Sequence, residues 1–328
     1  MRAREGPVEN TPITATPGLL TLDTTSDGRF VVGRDGVSAI VTTRDRKVEF
    51  VTCGTNDMAL VRSALGYPAY YPVHPVAIRK PVRAVLMDLD GTSVRSESFW
   101  VWMIQLTTAS LVGNPAFELE DADLPYVSGH SVSEHLEHCI RKYCPDRTVE
   151  EARARYFERT HHEMAEILAG RGRRDAFVPA PGLETFLRAL KSQGIRIGLV
   201  TSGLHEKAWP EIVAAFQAMT LGDPREFYDA IITAGFPMRP RQAGTLGELS
   251  PKPHPWLYAE VCRVGLGIPF EDRHSVVGIE DSGAGVCAIR LAGFAAIGVS
   301  GGNIAATGTV GLCWALCDSL LDALPLLR

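Results

Sequence analysis

The chain lacks any run of about 18 apolar residues, so no membrane span is expected. The nearest approach, Phe99 to Val112, is broken by Gln105, Thr107, Thr108 and Ser110. It also lacks a basic excess. Lys and Arg number 33 against 38 Asp and Glu, a net charge of −5, which leaves little to track a phosphate backbone and argues against nucleic acid as a partner. The seven cysteines have no His or Cys partner at zinc-finger spacing. Cys139 and Cys144 flank a helix end, and Cys313 and Cys317 fit one helix face. Reduced structural thiols in a cytoplasmic protein are the expectation. The opening MRAREGPVENTPITATPG has no apolar core of a secretory signal. No internal repeat is present, and the 31 glycines and 21 prolines follow no period.

What is present is the composition of a globular protein, 45% hydrophobic and 22% charged over 328 residues, enough for two domains or one decorated domain. Residues 1–17 read as a loose arm. Short β-rich runs follow at Phe30–Val32, Val37–Thr42 and Lys47–Thr52, a small antiparallel meander. A short helix is expected from Asn56 to Leu65, then a proline-rich extended linker through Pro68, Pro72, Pro75 and Pro81. Residues 1–78 therefore read as a small β-rich N-terminal domain with its linker.

Beyond residue 78 the pattern changes. Val82–Met87, Ile195–Val200, Ala230–Thr233, Ser275–Ile279 and Ala295–Val299 are near-continuous apolar runs, the mark of buried parallel strands. Helical stretches at Pro181–Lys191, Trp256–Val264 and Ala284–Ala292 alternate with them. An α/β fold with a doubly wound parallel sheet is expected, its site at the carboxyl ends of the strands. Residues 93–180 read as an all-helical insertion, a lid, with capping boxes at Ser131–Glu134 and Thr148–Glu151. The core would then be 79–92 and 181–328, within a 79–328 domain.

Four strand ends carry chemistry. Asp88-Leu89-Asp90-Gly91-Thr92 places two carboxylates on one side of an extended chain, where their repulsion calls for a cation or a proton. Thr201-Ser202-Gly203 offers a hydroxyl and backbone N–H groups near a helix start, an anion seat. Ser250-Pro251-Lys252-Pro253-His254-Pro255 holds one lysine among prolines. Gly278-Ile279-Glu280-Asp281-Ser282-Gly283-Ala284-Gly285 supplies two more acids, then small residues that allow close backbone approach.

In this order the four segments resemble the haloacid dehalogenase superfamily, and the helical insertion with GIEDSGAG resembles its β-phosphoglucomutase-like phosphatase branch, over about residues 82–325. The resemblance implies Asp88 as nucleophile, Asp90 as general acid and base, Thr201 as phosphoryl holder and Lys252 as balancing cation. It implies a Mg²⁺ ion at Asp88, the Asp90 carbonyl and Asp281, with Glu280 acting through water. Thr92, Ser202, Gly203, His130 and His205 are the further substrate contacts. A small phosphorylated metabolite, such as a sugar phosphate, is the implied partner. Two alternatives stand beside this phosphatase. A phosphohexomutase would need a lid arginine where Val132 stands after Gly129-His130-Ser131. A non-catalytic binding protein would use the N-terminal domain. The loop at 235–251, with Arg239 and Arg241, is longer than the resemblance implies, and the sequence assigns it no role.

Overall fold

The structure is a computed structural model that describes residues 12–62, 68–126, 132–173, 175–234 and 250–328. Five strands form an antiparallel sheet in chain order: β1 (Leu20–Leu22), β2 (Val37–Thr42), β3 (Val48–Cys53), β4 (Asn56–Val61) and β5 (Ala69–Pro72). The meander is larger than the sequence suggested, and the helix expected from Asn56 is strand β4. A short apolar run does not distinguish the two conformations. Here the Gly54-Thr55 turn closes a hairpin in which Cys53 faces Asn56, and pairing on both edges, to β3 and β5, settles the strand.

The remaining strands are β6 (Ala84–Asp88), β7 (Val94–Arg95), β8 (Val178–Pro179), β9 (Arg196–Leu204), β10 (Ala230–Ala234), β11 (Val276–Glu280), β12 (Ala295–Val299) and β13 (Ala315–Cys317). β7 and β8 pair as an antiparallel ribbon. The other six make one parallel sheet in the order β10-β9-β6-β11-β12-β13. The doubly wound sheet anticipated above is therefore present, with a sixth strand at its edge. β13 contains Cys317, while Cys313 caps a preceding 3₁₀ turn, so these thiols share no helix face.

The described helices are α1 (Glu97–Val112), α2 (Val132–Tyr143), α3 (Val149–Leu168), α4 (Leu183–Ser192), α5 (His205–Met219), α6 (Pro224–Phe227), α7 (Trp256–Glu260), α8 (Gly283–Leu291) and α9 (Leu320–Leu327). Among the described residues no helix is long and apolar enough to cross a membrane. The chain divides into two compact units. One is Met1–Ser93, Ala180–Ala208 and Leu221–Arg328; the other is Val94–Pro179 with Trp209–Thr220.

In the first unit the antiparallel and parallel sheets share one hydrophobic cluster. Val41, Phe50 and Val61 from the former meet Leu257, Tyr258 and Val286 from α7 and α8. Alternation explains why: residues two apart along a strand face the same side. Phe50 is fully buried there. Phe50→Ala should cost about 3–5 kcal/mol, read as a lowered urea midpoint. A change under about 1 kcal/mol would show that the antiparallel sheet does not depend on that cluster.

The second unit is helical. In α1 the buried Thr107 and Thr108 hydroxyls donate to the carbonyls of Met103 and Ile104, at 2.8 and 2.9 Å. This return bond satisfies polar groups in an otherwise apolar interior. Thr148 caps α3, its hydroxyl accepting the Glu151 N–H, as the sequence indicated. A buried carboxylate, Asp123, accepts from His138 and Lys142, both at 2.8 Å, from Tyr143, and from the Glu120 N–H. Burial alone would raise its pKa, but the bonds from Lys142, Tyr143 and His138 outweigh burial and hold it well below the ordinary carboxylate value. A depressed folded pKa adds stability that is complete above the unfolded value of about 4 and is lost as pH falls toward the folded value. Tm should drop below that pH, and Asp123→Asn should lower Tm at pH 7 while flattening the acid limb. Parallel acid limbs for the two proteins would refute the assignment.

Candidate active site

β6 is the point where the parallel sheet's connections diverge, to β9 and β10 on one side and to β11, β12 and β13 on the other. Ligands of open α/β sheets bind outside the carboxyl ends at such a point. Asp88 is the last residue of β6 and Glu280 the last of β11, while Thr201 lies near the carboxyl end of β9. Three separate sequence segments are thus brought to one edge by strand pairing alone.

The first loop turns at Gly91, with φ of +82°. A Cβ there would overlap the Asp281 carboxylate, so the position demands glycine both for its backbone and for its neighbour. The Ser93 hydroxyl donates to the Asp88 carbonyl at 2.5 Å and fixes the loop's return.

Lys252 is the electrostatic centre. Its Nζ donates to Asp88 Oδ1 and, at 2.6 Å, to Glu280 Oε1. All three side chains are buried. Glu280 is further tied by N–H groups of Asp281 and Ser282, at 2.9 and 2.8 Å, and by the Ser282 hydroxyl at 2.9 Å. The Tyr258 hydroxyl donates to it at 3.3 Å. Gly285 makes room for this carboxylate, since a Cβ there would collide with it. The small residues after Asp281 thus admit a side chain of the protein itself.

Burial and the Glu280 charge push Asp88 well above the usual carboxylate range. The same two causes, in the same order, push Asp281 up to about 7. Burial would lower Lys252, but the charges of Asp88 and Glu280 outweigh it, and the ammonium stays protonated. One lysine therefore serves three buried acids, leaving negative charge that a further cation would offset. Asp88, Glu280 and Asp281 each present an oxygen within 4.8 Å of the others. Hard oxygen donors of this kind fit Mg²⁺.

Asp90 occupies a different setting. It is partly exposed, with Thr201 Oγ1 donating to one oxygen and Lys207 Nζ to the other, both at 3.2 Å. The Thr201 hydroxyl in turn accepts the Gly203 N–H at 2.9 Å. Ser202 Oγ accepts the Lys252 N–H at 3.0 Å, and Thr92 Oγ1 donates to Asp281 at 3.3 Å. Asp88, Thr92, Ser202, Lys252, Glu280 and Asp281 are thus linked by hydrogen bonds or the carboxylate cluster, and Asp90, Thr201 and Gly203 are joined in a second hydrogen-bonded set. His205 is exposed at the first position of α5. His130, and Arg239 and Arg241 of the long loop, lie outside the described residues; Val132 is the first residue of α2.

Two site residues escaped sequence reasoning. Lys207 sits in the first turn of α5, and no motif in the sequence marks it. Tyr258 lay inside the expected Trp256–Val264 helix without a role assigned to it, and it is fully buried.

A family model for haloacid dehalogenase-like hydrolases matches residues 82–293. The chain belongs to this family. The match begins just before β6 and ends after α8, so the five-stranded sheet lies outside it. Similar solved structures include CbbY from Rhodobacter sphaeroides in complex with phosphate, 24% identical, covering 74% of this chain and 96% of that one with a TM-score of 0.51. A predicted phosphoglycolate phosphatase from Haemophilus somnus is 17% identical, covering 76% and 99% with a TM-score of 0.54. A family IA hydrolase of the superfamily from Entamoeba histolytica is 17% identical, covering 73% and 94% with a TM-score of 0.52. These likenesses establish the fold shared with this hydrolase family. No curated protein sequence matches the chain.

Removing Lys252 strands buried carboxylates. Lys252→Met should destabilise this hydrolase by about 3–5 kcal/mol, measured by denaturant unfolding without added metal. A variant as stable as the parent would show that the acids are compensated otherwise.

Proposed function

We propose that the protein is a Mg²⁺-dependent phosphatase that hydrolyses a small phosphate monoester through an aspartyl-phosphate on Asp88. The observation that carries this reading is the contrast between two carboxylates two residues apart. Asp88 is buried on Lys252, while Asp90 is partly exposed on Thr201 and Lys207. Two acids in unlike environments suit two roles, nucleophile and general acid–base.

In the first step an Asp88 oxygen attacks phosphorus, and the bond from phosphorus to the substrate oxygen breaks. Asp90, protonated at that stage, gives its proton to the departing oxygen. In the second step Asp90 takes a proton from water as the water attacks phosphorus. The bond from phosphorus to Asp88 then breaks, releasing phosphate. Lys207 favours the charged Asp90 that this second step needs. Thr201 holds the phosphoryl group, and Lys252 offsets the charge gathered at Asp88.

Asp88, Asp281 and the Asp90 main-chain carbonyl would hold Mg²⁺, with Glu280 acting through water. Bound there, the ion supplies positive charge to the acids and to the phosphoryl oxygens, the main requirement of phosphoryl transfer. Thr92, Ser202, Gly203, His130 and His205 remain the proposed substrate contacts, and a phosphorylated sugar or similar polar metabolite is the proposed class.

Phosphorylated metabolites with and without Mg²⁺ provide the test. Release of inorganic phosphate, abolished by chelation and restored by Mg²⁺, is expected. Isomerised hexose phosphate outpacing phosphate release would make the protein a mutase instead. Asp88→Asn should reduce turnover at least about a thousandfold, a barrier increase of roughly 4 kcal/mol, with the fold intact. Near-normal turnover in that variant would remove the covalent step.

A further inference from the structure

The family match starts at residue 82, yet a residue of the preceding sheet touches the loop that carries Lys252. Tyr71 lies on β5, paired with Ala59 of β4. Its hydroxyl is 2.7 Å from His254 Nδ1, and its ring meets those of His254 and Trp256 edge to face, at 5.7 and 6.0 Å between centroids. His254 follows Lys252 by two residues, and its ring is buried. The other ring nitrogen, Nε2, has no hydrogen-bond partner among the described residues. Tyr71 is thus the single hydrogen-bonding anchor of that ring. Without it both nitrogens would be buried and unpaired, which costs more than the bond itself contributes.

The rest of the loop is tied at the other end. The Lys252 N–H donates to Ser202, and the His254 N–H closes a turn on the Pro251 carbonyl at 3.1 Å. Immediately beyond the loop, Leu257 and Tyr258 of α7 are packed into the cluster shared with the sheet. Tyr258 lies under the Lys252 ammonium, 5.2 Å from ring centre to Nζ. The lysine is therefore held between Ser202 on one side and, on the other, Tyr258 of α7, which shares its cluster with the five-stranded sheet.

We infer that the N-terminal sheet buttresses the site, with Tyr71 acting through His254 as a positioning residue for Lys252. This rests on the phosphatase reading for its kinetic consequence but not for its structural one. A small misplacement of a charged group costs rate without unfolding the protein.

The experiment compares Tyr71→Phe with Tyr70→Phe in the full chain. Tyr70 is the next residue on the same strand, and its hydroxyl donates to Asp27 at 2.8 and 2.9 Å, so its loss controls for general damage to the sheet. Amide hydrogen exchange at Lys252 and His254 is measured by mass spectrometry, and p-nitrophenyl phosphate hydrolysis with Mg²⁺ is measured in parallel. Tyr71→Phe should speed exchange in the 250–256 segment about tenfold. It should lower kcat about tenfold with KM within about twofold, and Tyr70→Phe should do neither. Unchanged exchange in Tyr71→Phe, or equal effects of both variants, overturns the inference. So does unchanged kcat in Tyr71→Phe when the parent is active. A parent that hydrolyses no phosphate ester refutes the phosphatase reading, and the exchange comparison then decides the buttress alone.

Discussion

The bond from Lys252 to two buried carboxylates is the constraint around which this fold is arranged. A lysine ammonium and the acids Asp88 and Glu280 could not be buried separately, because each isolated charge would lose its hydration. They are tolerable together, and only in good geometry. Much of the surrounding detail supplies that geometry. Ser202 holds the lysine's backbone, Tyr258 and the start of α8 saturate Glu280, and Gly285 leaves the space that Glu280 fills. Asp281 lies outside the lysine's two bonds and is the acid left most in need of a cation.

The parallel core was legible because each of its strands is a buried apolar run, and the strand ends carry paired acids, a hydroxyl or a lone lysine among prolines. Ala295–Val299 matches its strand residue for residue. Asp88, Asp90, Glu280 and Asp281 could be picked out as charged groups at the ends of apolar strands, and Lys252 as a lone lysine among prolines. The antiparallel sheet was harder. β4 and β5 are strands because of partners distant in sequence, and neither alternates cleanly. β5 even contains Pro72, which reads as linker in isolation. The contacts of Lys207, Tyr71 and Tyr258 were not legible at all. A half-exposed helical lysine, an aromatic in a short strand and a core tyrosine acquire meaning only when another element arrives beside them.

The helical unit shows a different balance. Its α1 is nearly apolar, and the threonines that interrupt the run satisfy themselves on the preceding turn. Their presence interrupts the apolar run and says nothing of how they would be bonded. Asp123 is likewise silent in sequence. One aspartate of the acidic stretch Glu118–Asp123 becomes a buried junction only because His138, Lys142 and Tyr143 fall on one face of α2, four and five residues from first to last.

The cluster shared by the two sheets has a consequence for how the chain is made. Synthesis runs from the amino end, so the five-stranded sheet leaves the ribosome before the parallel core. The residues that cover its inner face, among them Leu257, Tyr258 and Leu312, are made much later. Until they emerge, Val41, Phe50 and Val61 lack those neighbours, and an uncovered apolar face is what chaperones bind and what aggregates. The sheet is thus made before the residues that complete its interior. A nascent chain halted before α7 would carry a finished strand order but not a finished interior.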